Sequence, residues 1–245
     1  MKNTFILILL AYSTLLFGQK RNIELSDIWA SGTFYPKTVN GFVNLNDGKS
    51  YCVLEKNDEG FDAINQYDYV SGSKIKEILN AKDVFGDEKY GINSYAFNQD
   101  QTVVLIYFNS QKIYRHSTRG DFKVVQLTNK QVIGVGKEAQ YPTLNSKGTK
   151  LAYVKENDLY VMDLMSQKVK RITKDGEYNT IINGAVDWVY EEEFGMSKGF
   201  GWNSDGTKIA FYRFDESAVK QWQMITYGKL YPDLYKFKYP KAGGS

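Results

Sequence analysis

After Lys20, short apolar, β-rich runs alternate along the chain with polar, turn-forming clusters. Four stretches share one design, in which an apolar or aromatic residue leads into an Asn-rich turn and then a β-rich run. They are Val43–Val53 with Asn46-Asp47-Gly48-Lys49, Ala96–Tyr107 with Asn98-Gln99-Asp100-Gln101, Thr143–Val154 with Asn145-Ser146-Lys147-Gly148, and Gly201–Tyr212 with Asn203-Ser204-Asp205-Gly206. Asn, Asp and Gly belong at such turns because they tolerate the positive φ that a tight hairpin demands. The second copy lacks the glycine.

The third copy reads as a complete unit. Lys150–Lys155 alternates as a strand, Glu156-Asn157-Asp158 turns, Leu159–Leu164 returns, and Val169–Thr173 follows as an outer strand. Final strands are also expected at Lys74–Leu79 and Lys123–Thr128. A repeat of roughly 50 residues with about four strands each predicts β-propeller blades, with a β-sandwich as the competing all-β architecture. A sandwich would not need the same turn to recur at that interval. Four copies stand at the lower limit of a closed propeller, so the chain is expected to be the front part of a larger one.

The first residues break this pattern. Lys2 precedes an apolar run from Phe5 to Phe17, too short for the ~20 residues of a spanning helix. Residues 1–18 are therefore expected to be a signal peptide cleaved near Gly18–Gln19, leaving 19–245 as a secreted or periplasmic domain. No cysteine follows the run, so a lipoprotein is not expected.

Composition narrows the chemistry. Nineteen Tyr and fourteen Phe against four Pro favour β structure over disorder. The net charge of +3, from 31 basic and 28 acidic residues, gives no reason to expect a nucleic-acid partner. Cys52 is the only cysteine and His116 the only histidine. An intrachain disulfide and a cysteine-based zinc site are thereby excluded, and a Ser-His-Asp or two-His arrangement has little to draw on. The Asp/Asn-Gly turns lack EF-hand spacing, and no metal or cofactor is expected.

One stretch stands apart. Asp187-Trp188-Val189-Tyr190-Glu191-Glu192-Glu193-Phe194 sets three consecutive carboxylates behind two large aromatics, with no basic residue inside the run. Like charges this close repel, and a cation relieves them. A solvated acidic loop, or the first turn of a helix with carboxylates at its positive dipole end, accounts for the same residues. Arg115, in Lys112–Ser117, could likewise be an exposed cation at a strand end.

From Ile23 onward the chain resembles the N-terminal half of the propeller of bacterial dipeptidyl peptidase IV, a family of the prolyl oligopeptidase clan. The matching words are Asp27-Ile28-Trp29-Ala30-Ser31-Gly32-Thr33-Phe34, Tyr114-Arg115-His116-Ser117, Asp187 to Phe194, Arg213-Phe214-Asp215-Glu216 and Tyr239-Pro240-Lys241-Ala242-Gly243. The resemblance implies an eight-bladed propeller followed by an α/β-hydrolase domain that removes X-Pro or X-Ala dipeptides from peptide N-termini. It implies that Glu192 and Glu193 grip the substrate's terminal ammonium and that Arg115 contacts the second residue's carbonyl. Glu191 and Tyr190 would position the loop, Trp188 would pack beneath it, and His116 would be structural. Residues 221–239 would form an arm contributing to a homodimer contact.

The resemblance places the serine nucleophile in the hydrolase domain that follows the propeller, so no catalytic residue is assigned here, Ser197 of Gly195-Met196-Ser197-Lys198-Gly199 included, and the segment alone is expected to be inactive. The later blades and the hydrolase domain would be its partners. The alternative is a non-catalytic exported propeller that binds proteins or peptides, since fold alone does not fix function.

Overall fold

The computed structural model describes residues 21–88 and 90–243. The expected signal peptide at 1–18 lies outside them. The chain divides into two compact units, one ending at Thr38 and the other beginning at Val39. In the first, helix α1 (Leu25–Trp29) starts at Glu24. The Asp27 carboxylate accepts the Glu24 N–H at 3.0 Å and pairs with Arg21, closing the first turn.

The second unit is built from antiparallel sheets. Strands β1 (Val43–Asn44), β2 (Ser50–Lys56), β3 (Asp62–Asp68) and β4 (Lys74–Asn80) pair in sequence order as a four-stranded blade. Helix α2 (Ala81–Phe85) follows, with the Asn80 side chain accepting the Asp83 N–H at 2.9 Å. The second blade comprises β5 (Ile92–Phe97), β6 (Val103–Lys112), β7 (Thr118–Gln126) and the start of β8 (Gln131–Leu144). The remainder of β8 opens the third blade, continued by β9 (Lys150–Lys155), β10 (Asp158–Asp163) and β11 (Val169–Arg171). One long strand thus fuses two blades into a seven-stranded sheet.

The blades stack because alternate side chains of a central strand serve opposite faces. Val103 to Phe108 of β6 are all buried, yet they enter two different cores. Val104, Ile106 and Phe108 pack with Cys52, Ile64 and Leu79 of the first blade. Val103, Leu105 and Tyr107 pack with Leu151, Tyr153 and Met162 of the third. Strand β9 repeats the device, sending Ala152 and Val154 into a further core with Ile182, Ala185 and Phe200.

The recurring turn has a physical reason. Asn98, Asn145 and Asn203 each accept two backbone N–H groups four and five residues ahead, at 2.8–3.0 Å. Where the other copies have glycine at the left-handed position, the second has Gln101 at φ +59°, and its side chain accepts the Asn46 N–H at 3.0 Å. Successive turns also touch: Asn46 donates to the Gln99 carbonyl, Gln99 to Ser146, and Asn145 to Gly206. A Cβ on Gly148 would meet the Asn98 amide at 2.5 Å, which leaves only glycine there.

Two expectations need correction. Residues 123–126 belong to β7, the third strand of their blade, because the turn at Asn129-Lys130 (Lys130 φ +56°) starts the fourth strand at Gln131. The fourth copy is not a four-stranded blade. Its β13 (Phe200–Trp202) and β14 (Ile209–Phe211) pair only with each other, while β15 (Arg213–Asp215) joins β12 (Ile181–Asn183). Strands β16 (Gln221–Thr226) and β17 (Asp233–Lys238) form a separate hairpin. The architecture is that of an all-β propeller segment.

Candidate functional site

Two elements far apart in sequence meet at one edge of the sheets. The first is the end of the β6–β7 hairpin, where Lys112 pairs with Thr118 and the chain reverses through Ile113–Ser117. Ile113 N–H donates to the Ser117 carbonyl at 2.9 Å, and Tyr114 N–H to the Ser117 hydroxyl at 3.2 Å. This closed turn carries Arg115.

The second is helix α3 (Trp188–Phe194), so the acidic run is helical rather than a loop. Asp187 caps it by accepting the Tyr190 N–H at 2.8 Å, and Gly195 at φ +64° ends it in the left-handed conformation. Two turns of helix direct the three glutamates differently. Glu191 points inward and is 1% exposed, Glu192 is half-buried, and Glu193 faces solvent.

Glu191 joins the two elements. Its Oε1 accepts the N–H groups of His116 at 2.6 Å and Ser117 at 2.8 Å. One carboxylate oxygen thereby satisfies the buried Ser117 donor and the part-buried His116 donor, which makes its own burial tolerable. Glu192 Oε2 lies 3.2 Å from Arg115 Nε. Among the described residues no ion pair engages Glu193. The three residues singled out from sequence, Arg115, Glu192 and Glu193, therefore lie on two adjoining elements.

The aromatics of the run brace the helix. Trp188 packs at a tilt on Phe237 of β17 at 4.6 Å between ring centroids and meets Tyr239 edge-on at 5.5 Å. Tyr190 packs edge-on against Phe214 of β15 at 4.8 Å. Tyr235 of β17 meets Tyr114 at 6.2 Å, so the base of the last hairpin supports both the Arg115 turn and α3.

Behind the site is a cavity of about 490 Å³, lined in part by Tyr114, Ser117, Tyr141, Glu191 and Glu216. Glu216 is 7% exposed, and burial together with nearby Asp187 raises its pKa to about 7 against the partial relief of Lys238. Burial also raises the Asp187 carboxyl, opposed by its bond to the Tyr190 N–H. Sequence reading passed over Glu216 as a site residue, although it ends the word Arg213–Glu216. It also missed Ser117 and Tyr141, which have no sequence signal beyond proximity to Arg115 for the former. Among the described residues no group of three or more His, Cys, Asp or Glu side chains is arranged to hold a metal.

These features define a β-propeller segment carrying a short acidic helix set against an arginine turn. The family model described as the dipeptidyl peptidase IV (DPP IV) N-terminal region matches residues 98–245, and the chain belongs to that family. It is 34% identical to dipeptidyl peptidase 4 of Felis catus over 168 residues, covering 66% of this chain and 22% of that protein. It is 30% identical to prolyl endopeptidase FAP of Mus musculus over 233 residues, covering 91% of this chain and 29% of the relative. The crystal structure of Porphyromonas gingivalis dipeptidyl peptidase 4 superposes with a TM-score of 0.78 at 33% identity, covering 91% of this chain and 32% of that one. The chain thus spans less than a third of the length of these relatives.

Proposed function

We propose that this segment is the substrate-gating part of a secreted serine dipeptidyl peptidase that releases X-Pro and X-Ala dipeptides. Glu192 and Glu193 hold the substrate's N-terminal ammonium, and Arg115 orients the following carbonyl. The observation that carries the reading is the 3.2 Å approach of Arg115 to Glu192 beside an exposed Glu193.

An α-amino group, with a pKa of about 7.7–8.0, is mostly cationic at neutral pH. Two carboxylates converging on it make charge-assisted hydrogen bonds, each about twice as strong as a neutral one. An internal peptide segment lacks that charge and would leave both carboxylates uncompensated. The site would then measure distance from the chain end, and much of its contribution would be orientation of the scissile carbonyl. Arg115 limits repulsion between the glutamates while the site is empty.

Export rests on the apolar run Phe5–Phe17. The hairpin β16–β17 exposes Trp222, Ile225, Tyr227, Leu230, Tyr231 and Leu234, a composition suited to the homodimer contact expected of the arm. In the enzyme carrying this segment, Glu192→Gln and Glu193→Gln are each expected to lower kcat/KM on H-Gly-Pro substrates by about 100-fold or more. Near-normal turnover by both variants would overturn the assignment.

A further inference from the structure

Two buried carboxylates line the cavity behind α3, and each keeps an oxygen that no protein group takes. Glu191 and Glu216 are 1% and 7% exposed, and both face this space of about 490 Å³. Oε1 of Glu191 accepts the His116 and Ser117 N–H groups, while among the described residues no donor reaches its Oε2. Glu216 is the more unusual of the two. Its main chain is satisfied, the N–H donating to the Thr180 carbonyl at 2.7 Å and the carbonyl accepting the Val219 N–H at 3.0 Å. Its side chain has neither a hydrogen bond nor an ion pair with any described residue. Lys238, the cation that acts on it, donates its Nζ to the Val219 carbonyl at 2.6 Å instead.

A carboxylate taken out of water without a partner is costly, so such a group either keeps its proton or meets a cation. The surroundings favour a cation. Five glutamates line the cavity, Glu138, Glu156, Glu177, Glu191 and Glu216, against Arg119 and Lys155. Of those two, Lys155 already pairs with Glu138 at 3.4 Å. Ile182, Ala185 and Val186, all buried, add an apolar wall. The space is far larger than a bare metal ion, and among the described residues no three His, Cys, Asp or Glu side chains are grouped to hold one. With one Glu191 oxygen committed, the planar fork of a guanidinium finds no matching oxygen pair there. A compact ammonium on an alkyl stem suits single oxygens beside an apolar wall.

We propose that this cavity is a binding site for a short alkylammonium ion, held by Glu216 and the free oxygen of Glu191 and covered along its stem by Ile182, Ala185 and Val186. Arg115, Glu192 and Glu193 do not line the cavity, so the site is separate from theirs and does not rest on the reading given above. Its ligand needs no peptide carbonyl, only a cationic head and a few methylenes.

The test uses the enzyme carrying this segment, with butylammonium chloride as the probe and butan-1-ol as its uncharged control. It is run at about pH 8, above the Glu216 value near 7, so that this carboxyl is mostly ionised. The methyl NMR signals of Ile182, Ala185 and Val186 are expected to shift saturably with butylammonium and not with butan-1-ol. Glu216→Gln is expected to weaken butylammonium binding about tenfold or more, the loss of one charge-assisted contact. The double variant Glu192→Gln/Glu193→Gln is expected to bind the probe within about twofold of the unaltered enzyme. Absence of saturable shifts at those methyls in the unaltered enzyme would overturn the proposal, and that measurement needs no variant to fold. Unchanged affinity in a folded Glu216→Gln enzyme would overturn it too. So would loss of binding in the double variant, which would assign the probe to the outer glutamates.

Discussion

Glu191 reaches across 74 residues of sequence to accept the Ser117 N–H at 2.8 Å, and the same oxygen takes the His116 N–H. This bond ties the hairpin end to the acidic helix. Its neighbour Glu192 meets the side chain of Arg115, the residue before His116. Inner glutamate and inner amides hold the frame, while the next glutamate and the guanidinium pair with each other outside it.

Removing the inner carboxylate should therefore be costly. Glu191→Ala strands the buried Ser117 N–H and the part-buried His116 N–H and is expected to destabilise the fold by about 3 kcal/mol, whereas Glu191→Gln keeps an acceptor oxygen and should cost about 1 kcal/mol. Urea unfolding midpoints check the ratio. Equal losses would mean that the carboxylate's charge, not its acceptor role, is what matters.

Arg115 should behave in the opposite way. Its side chain is 73% exposed, so the pair with Glu192 adds little to stability, within about 0.5 kcal/mol. Arg115→Ala is expected to leave the unfolding midpoint nearly unchanged while reducing kcat/KM of the enzyme at least tenfold. Arg115→Lys should recover only part, because lysine lacks the guanidinium's planar fork. Steady-state kinetics beside thermal melts separate the two effects.

Glu216 makes stability depend on pH. Its carboxyl, ordinarily near 4.5, rises to about 7 in the fold, so the folded state holds the proton more tightly than the unfolded chain. Stability from this group is fully present below 4.5 and is lost as pH rises through about 7, a difference on the order of 3 kcal/mol. Glu216→Gln should flatten the unfolding free energy between pH 5 and 8, a range set by the two pKa values. A wild-type profile already flat over that range would contradict the assignment.

Of the β17 rings that hold the last hairpin, Phe237 is the most deeply buried. Phe237 is 1% exposed and packs against Trp188, while all of β16 is exposed. Phe237→Ala is expected to cost about 3–4 kcal/mol locally and to free the hairpin before the blades unfold. Limited proteolysis should then cut between 226 and 233 at protease levels the unaltered chain survives.

The blades were legible in sequence because their turns repeat a chemical device. Asn98, Asn145 and Asn203 each close the same loop, and β9 is a short apolar run, Leu151 to Val154, bounded by a lysine at each end. Arg115, Glu192 and Glu193 were legible as words, through resemblance, and the fold brings them together. The helical state of 188–194 was harder to see: seven residues leave too little length for a period, and the capping bond of Asp187 depends on where the chain turns. Tyr141 was invisible. Nothing in Ala139-Gln140-Tyr141-Pro142 announces a left-handed tyrosine, because that conformation is imposed by two sheets pulling on one strand. The fourth strand of the second blade was misplaced for a related reason, since its start is set by a lysine at positive φ rather than by glycine.

Strand β8 has a mechanical consequence. A propeller whose blades are joined by loose connections can breathe blade by blade, and two residues on neighbouring blades drift relative to each other. Here β8 pairs with β7 along its first half and with β9 along its second, with no loop between. The Arg115 turn hangs from β7, and the route to α3 begins beyond β11. The second and third blades therefore share one continuous backbone. The Glu191 bonds to the His116 and Ser117 N–H groups couple α3 to the Arg115 turn, so a displacement of the turn is expected to carry the glutamates with it.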